Sequence, residues 1–266
     1  MEILLLKAFL APLLVVASTL AGRRWGPSVA GILVALPIVA GPILFISFVQ
    51  HGSDFAGRAA AASLLGLISL AAFAVMYAHL AGRFGWFTTL AVSWAVVLGV
   101  DAVLAIGQPP APVSLALTVA ATVAGLAVMP RRAPSGPLAL VRSWSRWDLP
   151  GRALATAILV ASVTTASSLL GPHWTGLLAP FPIALSVVST FAHARQGADA
   201  VARTLAGALL SLFSFGVFCL CVALLVGPLH GGAFLVAAAA TGVVQYLAVR
   251  TRGARGAARS GGAGGG

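Results

Sequence analysis

Uninterrupted apolar runs of about 20 residues recur along almost the whole sequence, and this feature limits the fold more than any other. A helix needs about 20 apolar residues to cross the hydrocarbon of a bilayer. Only 8% of the 266 residues are charged and the mean hydropathy is +1.03, whereas soluble domains carry roughly a quarter charged residues. The sequence therefore predicts a polytopic helical membrane protein and excludes a water-soluble globule.

Charged or turn-forming residues divide the apolar runs into nine predicted spans. The spans cover residues 3–21, 27–49, 59–80, 86–106, 113–129, 148–170, 174–193, 204–227 and 232–249. Of the 16 basic residues, 14 are assigned to alternate connecting segments, and only Lys7 and Arg58 fall on the other side. Because short cytoplasmic loops attract Lys and Arg, the amino terminus is expected outside and the carboxyl terminus in the cytoplasm. The net charge of +11 then reflects topology, so nucleic acid is not an expected partner.

The two halves of the sequence align without a gap at a shift of 145 positions. The matched pairs include Pro37 with Pro182, Thr19 with Thr164, Gly52 with Gly197, Asp54 with Asp199, Arg58 with Arg203 and Ser69 with Ser214. An alanine- and leucine-rich composition does not explain these matches, so they indicate an internal repeat. Residues 1–21 resemble a signal peptide, but their counterpart in the second half favours a retained first span.

The predicted fold is an all-α polytopic membrane protein with two inverted-topology four-helix repeats. Residues 1–106 are expected to form the first repeat, 107–147 a connector helix with a basic cytoplasmic loop, 148–252 the second repeat and 253–266 a flexible tail. The repeats are inverted because an odd number of spans precedes the second one. Inverted repeats are typical of secondary transporters, which exchange the conformations of two halves around a central site, although some channels share them.

The second repeat also resembles a known family. Gly176-Leu-Leu-Ala-Pro-Phe-Pro182, followed by Gln196-Gly197-Ala-Asp199 and by Arg203-Thr-Leu-Ala-Gly207, is similar to the small bacterial inner-membrane proteins of the GlpM type. Those proteins have about the length of one repeat, and the similarity covers about 35 residues per half. The resemblance implies a fused pair of such subunits in the inner membrane. The family is linked in some bacteria to exopolysaccharide (alginate) production and implies no catalytic residues.

Spans two and seven are the most irregular, and they occupy corresponding places in the two repeats. Proline inside a helix removes a backbone hydrogen bond and kinks the helix, and interrupted helices at matching positions indicate a transporter's binding site. The candidate substrate-binding residues are Pro37, Gly41, Pro182 and Ser186, with Thr19 and Thr164 lining a polar path. Structural kinks and hydrogen bonds between helices would explain the same residues.

Three acidic residues are candidates for gating or coupling. Asp54 with Arg58, and Asp199 with Arg203, are four residues apart near helix starts, so each pair shares a helical face and can form an ion pair. At opposite membrane faces these pairs are candidate gates, although a purely structural role is a sufficient explanation for them. Asp101 is the candidate for proton coupling, and it is expected near the outer end of span four, where its side chain can reach water.

These features favour a bacterial inner-membrane secondary transporter for a small solute or a lipid-linked intermediate, and the excess of arginine weakly favours an anion. The alternative is a non-transporting accessory or assembly subunit of an envelope or exopolysaccharide system. The sequence carries no phosphate-binding glycine loop, metal-ligand cluster or nucleophile motif, so neither an enzyme nor a metal or cofactor is expected. Expected partners are membrane lipid, the transported molecule and a second copy of the chain in a homodimer.

Overall fold

The computed structural model describes residues 2–34, 40–107, 109–130, 148–168 and 181–245, and this part of the chain is helical without any strand. Its helices are α1 (Glu2–Trp25), α2 (Pro27–Val34), α3 (Ala40–His51), α4 (Ser53–Leu80), α5 (Trp86–Leu104), α6 (Ala111–Val128), α7 (Asp148–Ser168), α8 (Ile183–Gln196), α9 (Ala198–Leu229) and α10 (Gly232–Gln245). Pro37, the predicted basic loop 131–147 and the tail 253–266 lie outside the described residues, as does the side chain of Thr164.

Four helices of the described part are long and apolar enough to cross a membrane, namely α4, α5, α6 and α9. The prediction of a multi-pass helical membrane protein is therefore confirmed. Each predicted span overlaps at least one helix, and span 27–49 overlaps two, α2 and α3.

α4 and α9 pack extensively against each other, and they run antiparallel. The start of α4 lies against the end of α9, because Ser53 Oγ is 3.2 Å from His230 Nδ1 and Gly57 lies against Val226. Near the middle of both helices Leu67 approaches Gly216. The largest fully buried aliphatic side chains of the two helices are Leu64, Leu67, Val201, Leu205, Leu209 and Leu212. The centre of the molecule is therefore an apolar contact between two antiparallel helices.

The short helix α2 packs against α9 so closely that the two helix backbones nearly touch. A side chain at Gly207 would overlap the carbonyl oxygen of Ser28, so this crossing requires glycine. One turn along α9, the hydroxyl of Ser211 donates a 2.8 Å hydrogen bond to the carbonyl oxygen of Ile32. The same first-half segment is thus fixed to a second-half helix by packing and by a hydrogen bond.

Two glycines introduce the long helices with the same backbone conformation. Gly52 precedes α4 with φ 83° and ψ −179°, and Gly197 precedes α9 with φ 84° and ψ −179°. Only glycine adopts this region without strain, and these positions are 145 residues apart, the shift of the sequence repeat. α3 and α8 precede these glycines, and each packs against the long helix that follows it. A short helix, a glycine corner and a long helix therefore occur twice.

The structure corrects two expectations about charged residues. Asp101 does not reach out to water from a helix end, because its side chain is only 2% exposed and contacts Ser69 on α4. Arg152 is one of the 14 basic residues that the sequence assigns to connecting segments on the cytoplasmic side, but it lies inside α7 and is 2% exposed. Both side chains have polar partners on a neighbouring helix. They would lose these partners if they extended toward the membrane surface.

Candidate functional site

α8 carries polar side chains along one face. The stripe consists of residues spaced i, i+3, i+4 and i+7: Ser186, Ser189, Thr190 and His193. Trp94 Nε1 on α5 donates a 2.9 Å hydrogen bond to the hydroxyl of Ser186. The ring of Tyr77 on α4 meets the imidazole of His193 edge to face, with ring centres 5.9 Å apart. This α8 polar stripe therefore lies where a second-half helix meets two helices of the first half.

Several hydroxyls at the α8 polar stripe have unused hydrogen-bonding capacity. The phenol of Tyr77 faces Thr190, but the two hydroxyls do not form a well-aligned hydrogen bond. The hydroxyls of Tyr77, Ser189 and Thr190 have no hydrogen-bond partner among the described residues, and Tyr77 and Ser189 are fully buried. An unsatisfied polar group inside a membrane is costly. The arrangement can therefore offer hydroxyl donors and acceptors to a polar ligand.

The stripe begins at an aromatic wall beside the first turn of α8. Phe181 and Trp94 pack edge to face with ring centres 5.6 Å apart, and the buried Pro182 caps the helix. Proline has no amide hydrogen to leave unpaired at this position. α8 is only 14 residues long, about 21 Å at 1.5 Å per residue, and so shorter than the bilayer core of about 30 Å.

The corresponding face of α3 is entirely apolar. The positions that match the α8 polar stripe at a shift of 145 are Gly41, Leu44, Phe45 and Phe48. Phe45 and Phe48 pack against Phe234 on α10, with ring centres 5.2 and 5.9 Å apart. Gly41 is buried beneath the ring of Phe218 on α9. We refer to this face as the α3 aromatic stripe. Its rings pack closely, whereas the equivalent positions of the α8 polar stripe include unpaired hydroxyls.

A second matched pair of contacts joins the long helices to the helices that follow them. The hydroxyl of Ser69 on α4 donates to Asp101 Oδ1 on α5. The hydroxyl of Ser214 on α9 donates a 2.7 Å hydrogen bond to Gln245 Oε1 on α10. Ser69 and Ser214 are equivalent in the repeat, and Gln245 is one residue from the position equivalent to Asp101. The two halves thus make the same contact with an ionisable acceptor in one and a neutral acceptor in the other.

Arg152 joins α7 to α1 and α8. Its NH1 donates a 3.3 Å hydrogen bond to the hydroxyl of Thr19, and its guanidinium lies over the ring of Phe191 at 4.8 Å. The hydroxyl of Thr19 also donates to the carbonyl oxygen of Val15 at 2.7 Å. The predicted polar residue Thr19 is thus buried between helices, where hydrogen bonding between helices accounts for it.

The four candidate gating residues lie in the first two turns of the long helices, as the sequence predicts. Asp54 and Arg58 are exposed on α4, and no ion pair joins them within the described part of the chain. On α9, Arg203 is exposed and Asp199 is half-buried. The antiparallel packing puts the two helix starts at opposite ends of the molecule, so the structure does not bring the two pairs together.

Of the predicted substrate-binding residues that the structure describes, only Pro182 and Ser186 lie together, Pro182 as the cap of α8 and Ser186 in its first turn. Gly41 is covered by an aromatic ring, and Thr19 lies with Arg152. The sequence reasoning missed Tyr77, Trp94 and Gln245. Their partners are far away in the chain, with 92 residues separating Trp94 from Ser186, so no local pattern indicates them.

The rest of the α8 polar stripe could have been predicted from the sequence, since polar residues at i, i+3, i+4 and i+7 within an apolar run mark one helical face.

No group of three or more His, Cys, Asp or Glu side chains that could hold a metal ion occurs among the residues the structure describes. Searches of family models, of curated proteins and of solved structures find no match to this chain.

Proposed function

We propose that the chain is a secondary transporter that works by alternating access of two inverted four-helix repeats. The observation that carries the proposal is the repeated unit of short helix, glycine corner and long helix, with φ and ψ at Gly52 and Gly197 agreeing within about a degree. Two equivalent long helices packed antiparallel support an inverted arrangement. Two halves built alike and inverted can exchange conformations, which is the basis of alternating access.

The finer topology belongs to the same proposal. The chain would cross the membrane nine times, with the amino terminus outside, the carboxyl terminus in the cytoplasm and α6 as the connector between the repeats. The excess of basic residues in alternate segments supports this orientation. The bacterial inner membrane, and a relationship to the GlpM-type proteins, are proposed from the sequence resemblance alone.

The α8 polar stripe is the proposed substrate site. It offers buried hydroxyls at Tyr77 and Ser189, which suits a small solute or a lipid head group with several oxygens. The nearby Arg152 supports an anion. Asp54 with Arg58 and Asp199 with Arg203 would act as gates at opposite faces. Neutralising one pair should therefore shift the protein toward one facing state, which the accessibility of single cysteines introduced at each face would measure. Equal accessibility in both variants would argue against gates.

A specific observation also favours the accessory-subunit alternative. The packing of α4 against α9 is apolar, with Val226 against Gly57 and Leu67 near Gly216. An apolar central contact suits a static scaffold as well as it suits the pivot of a transporter. The two candidates differ in what they predict for the α8 polar stripe, which a scaffold does not need.

The test uses purified protein in proteoliposomes on a solid-supported membrane, with currents recorded for pools of organic acids, amines and lipid phosphates. Ser189→Ala and Thr190→Val should lower a solute-dependent current severalfold. Thr241→Val is the matched control, because Thr241 is a buried threonine on α10 that bonds only within its own helix. A current equally reduced by all three variants would contradict the proposed site.

A further inference from the structure

We propose that Asp101 binds the proton that couples transport to the proton gradient. This inference deepens the proposed function and rests on it for its role in transport. The binding of a proton at Asp101 can be measured without any transported solute. The juxtaposition that carries it is the matched pair of contacts, Ser69 with Asp101 and Ser214 with Gln245.

Asp101 meets α4 away from both ends of that helix. Ser69 is 16 residues from the first residue of α4 and 11 from its last, which is about 24 Å and about 16 Å along the helix. Asp101 itself is three residues before the last residue of α5, about 5 Å along that helix, so its side chain is buried by packing against α4. With 2% of its surface exposed, the carboxyl group is held inside the protein.

The equivalent contact shows that a charge is not required there. Ser214 donates to the neutral amide oxygen of Gln245 at 2.7 Å, so this joint between a long helix and its follower needs only an oxygen acceptor. A carboxyl group in place of the amide adds one property, the ability to bind and release a proton. Ionisable residues at membrane depth commonly serve proton and ion pathways.

The ionisable side chains on the two helices packed against α5 are remote from this contact along the chain. On α4 and α8 they are Asp54, Arg58, Tyr77, His79, His193 and Arg195. Tyr77 is the nearest to Ser69 on α4, eight residues or about 12 Å away along the axis, and His193 packs on Tyr77. Arg58 is 11 residues from Ser69 in the other direction, about 16 Å. Among the described residues of these two helices, no cation is placed close to Ser69, where it could neutralise an ionised Asp101.

The proposed step is a proton transfer with no bond change elsewhere. An Asp101 Oδ takes up a proton from one side of the membrane and releases it to the other side after the halves exchange conformations. The hydroxyl of Ser69 can donate to the carboxylate and can also accept from the carboxylic acid. It therefore satisfies the group in both protonation states without moving the helices.

Infrared difference spectra of the full chain, recorded between alkaline and acidic buffer, test proton binding directly. We expect a carbonyl band of a protonated carboxylic acid that is lost in Asp101→Asn and retained in Asp54→Asn. Asp54 is the matched control because it is an exposed acid on α4. Ser69→Ala should keep the band but shift it to higher frequency, because the carboxylic acid loses the hydroxyl to which its O–H donates. A band that persists unchanged in Asp101→Asn would overturn the proposal.

Two further measurements separate proton binding from coupling. Gln245→Glu places a second carboxyl group opposite Ser214 and should add a second band. In proteoliposomes with an imposed pH gradient, solute currents that depend on the gradient should lose that dependence in Asp101→Asn. If gradient-driven currents survive in this variant, Asp101 does not carry the coupling proton, and the proposal fails while transport stands.

Discussion

α3 and α8 hold equivalent places in the two halves of the molecule but present opposite chemistry. Each leads through a left-handed glycine corner into a long helix, with φ of 83° at Gly52 and 84° at Gly197. The α3 aromatic stripe packs on Phe234, whereas the α8 polar stripe faces Trp94 and Tyr77. The short helix and its glycine corner thus occur twice at a shift of 145 residues, whereas the side chains on the short helices differ.

The difference teaches where stability and function are concentrated. Interlocking aromatic rings gain from burial and from edge-to-face contacts, and they leave no polar group unsatisfied. Unpaired buried hydroxyls give up stability, which a protein retains where it needs a polar surface. Four pairs of variants test this contrast between stability and function. Each pair has one member in the first half of the chain and one in the second.

The largest effect is expected at Phe234, the α10 residue against which the α3 aromatic stripe packs. Phe234→Ala removes the ring that both Phe45 and Phe48 contact, and it should lower the free energy of unfolding by about 3–5 kcal/mol. Its repeat equivalent is Thr89, whose hydroxyl makes only a long 3.5 Å contact with the carbonyl oxygen of Phe84. Thr89→Ala should therefore change stability by about 1 kcal/mol or less. Reversible unfolding in mixed detergent measures both, and equal losses would erase the distinction between the halves.

The two glycine corners should respond alike. Gly52→Ala and Gly197→Ala meet no neighbouring atom within 4 Å, so the cost is backbone strain alone. We expect each to destabilise the protein by about 1–3 kcal/mol, with similar values because the dihedral angles agree.

Gly99→Ala in α5 is the matched control, since a side chain there also meets no atom within 4 Å and its φ lies outside the left-handed region. It should be neutral or stabilising by up to about 1 kcal/mol. A large loss at only one of the two corners would show that the repeated frame is not equivalent in the two halves.

The sequence predicts the frame better than it predicts the site. Apolar runs and turn residues locate the helices because membrane crossing imposes length and composition. The shift of 145 predicts that Gly52 and Gly197 correspond, and the structure gives them one conformation. The same shift does not reveal that Gln245 serves in place of Asp101, because the contact moved by one residue.

The site is harder to predict because its contacts cross between the halves. Trp94 and Ser186 are 92 residues apart in the sequence and become adjacent only through the tertiary fold. Asp101 was expected to reach water because an ionisable group at a helix end can do so cheaply. Packing against α4 buries the side chain instead, and no pattern within the sequence of α5 indicates this contact.

The unpaired hydroxyls of the α8 polar stripe should oppose stability and support transport. Tyr77→Phe and Ser189→Ala remove buried hydroxyls without hydrogen-bond partners, so each should raise the free energy of unfolding by about 1 kcal/mol. The same variants should lower solute-dependent currents. Thermal unfolding and proteoliposome currents on the same preparations measure both quantities. Variants that are less stable than wild type would show that these hydroxyls are satisfied, and the contrast with α3 would then fail.

The smallest expected effect concerns the hydrogen bond from Trp94 to Ser186, which fixes α8 to α5. Hydrogen bonds between membrane helices average about 0.6 kcal/mol in double-mutant cycles, so the coupling between Trp94→Phe and Ser186→Ala should be of that size. The repeat equivalents, Ala239 and Gly41, have no polar side-chain groups, and α3 is held instead by rings. A coupling energy near zero would mean that Trp94 acts only as an apolar wall for the stripe. A coupling several times larger would mean that the bond helps to hold the two halves together, so that α8, like α3, contributes chiefly to packing.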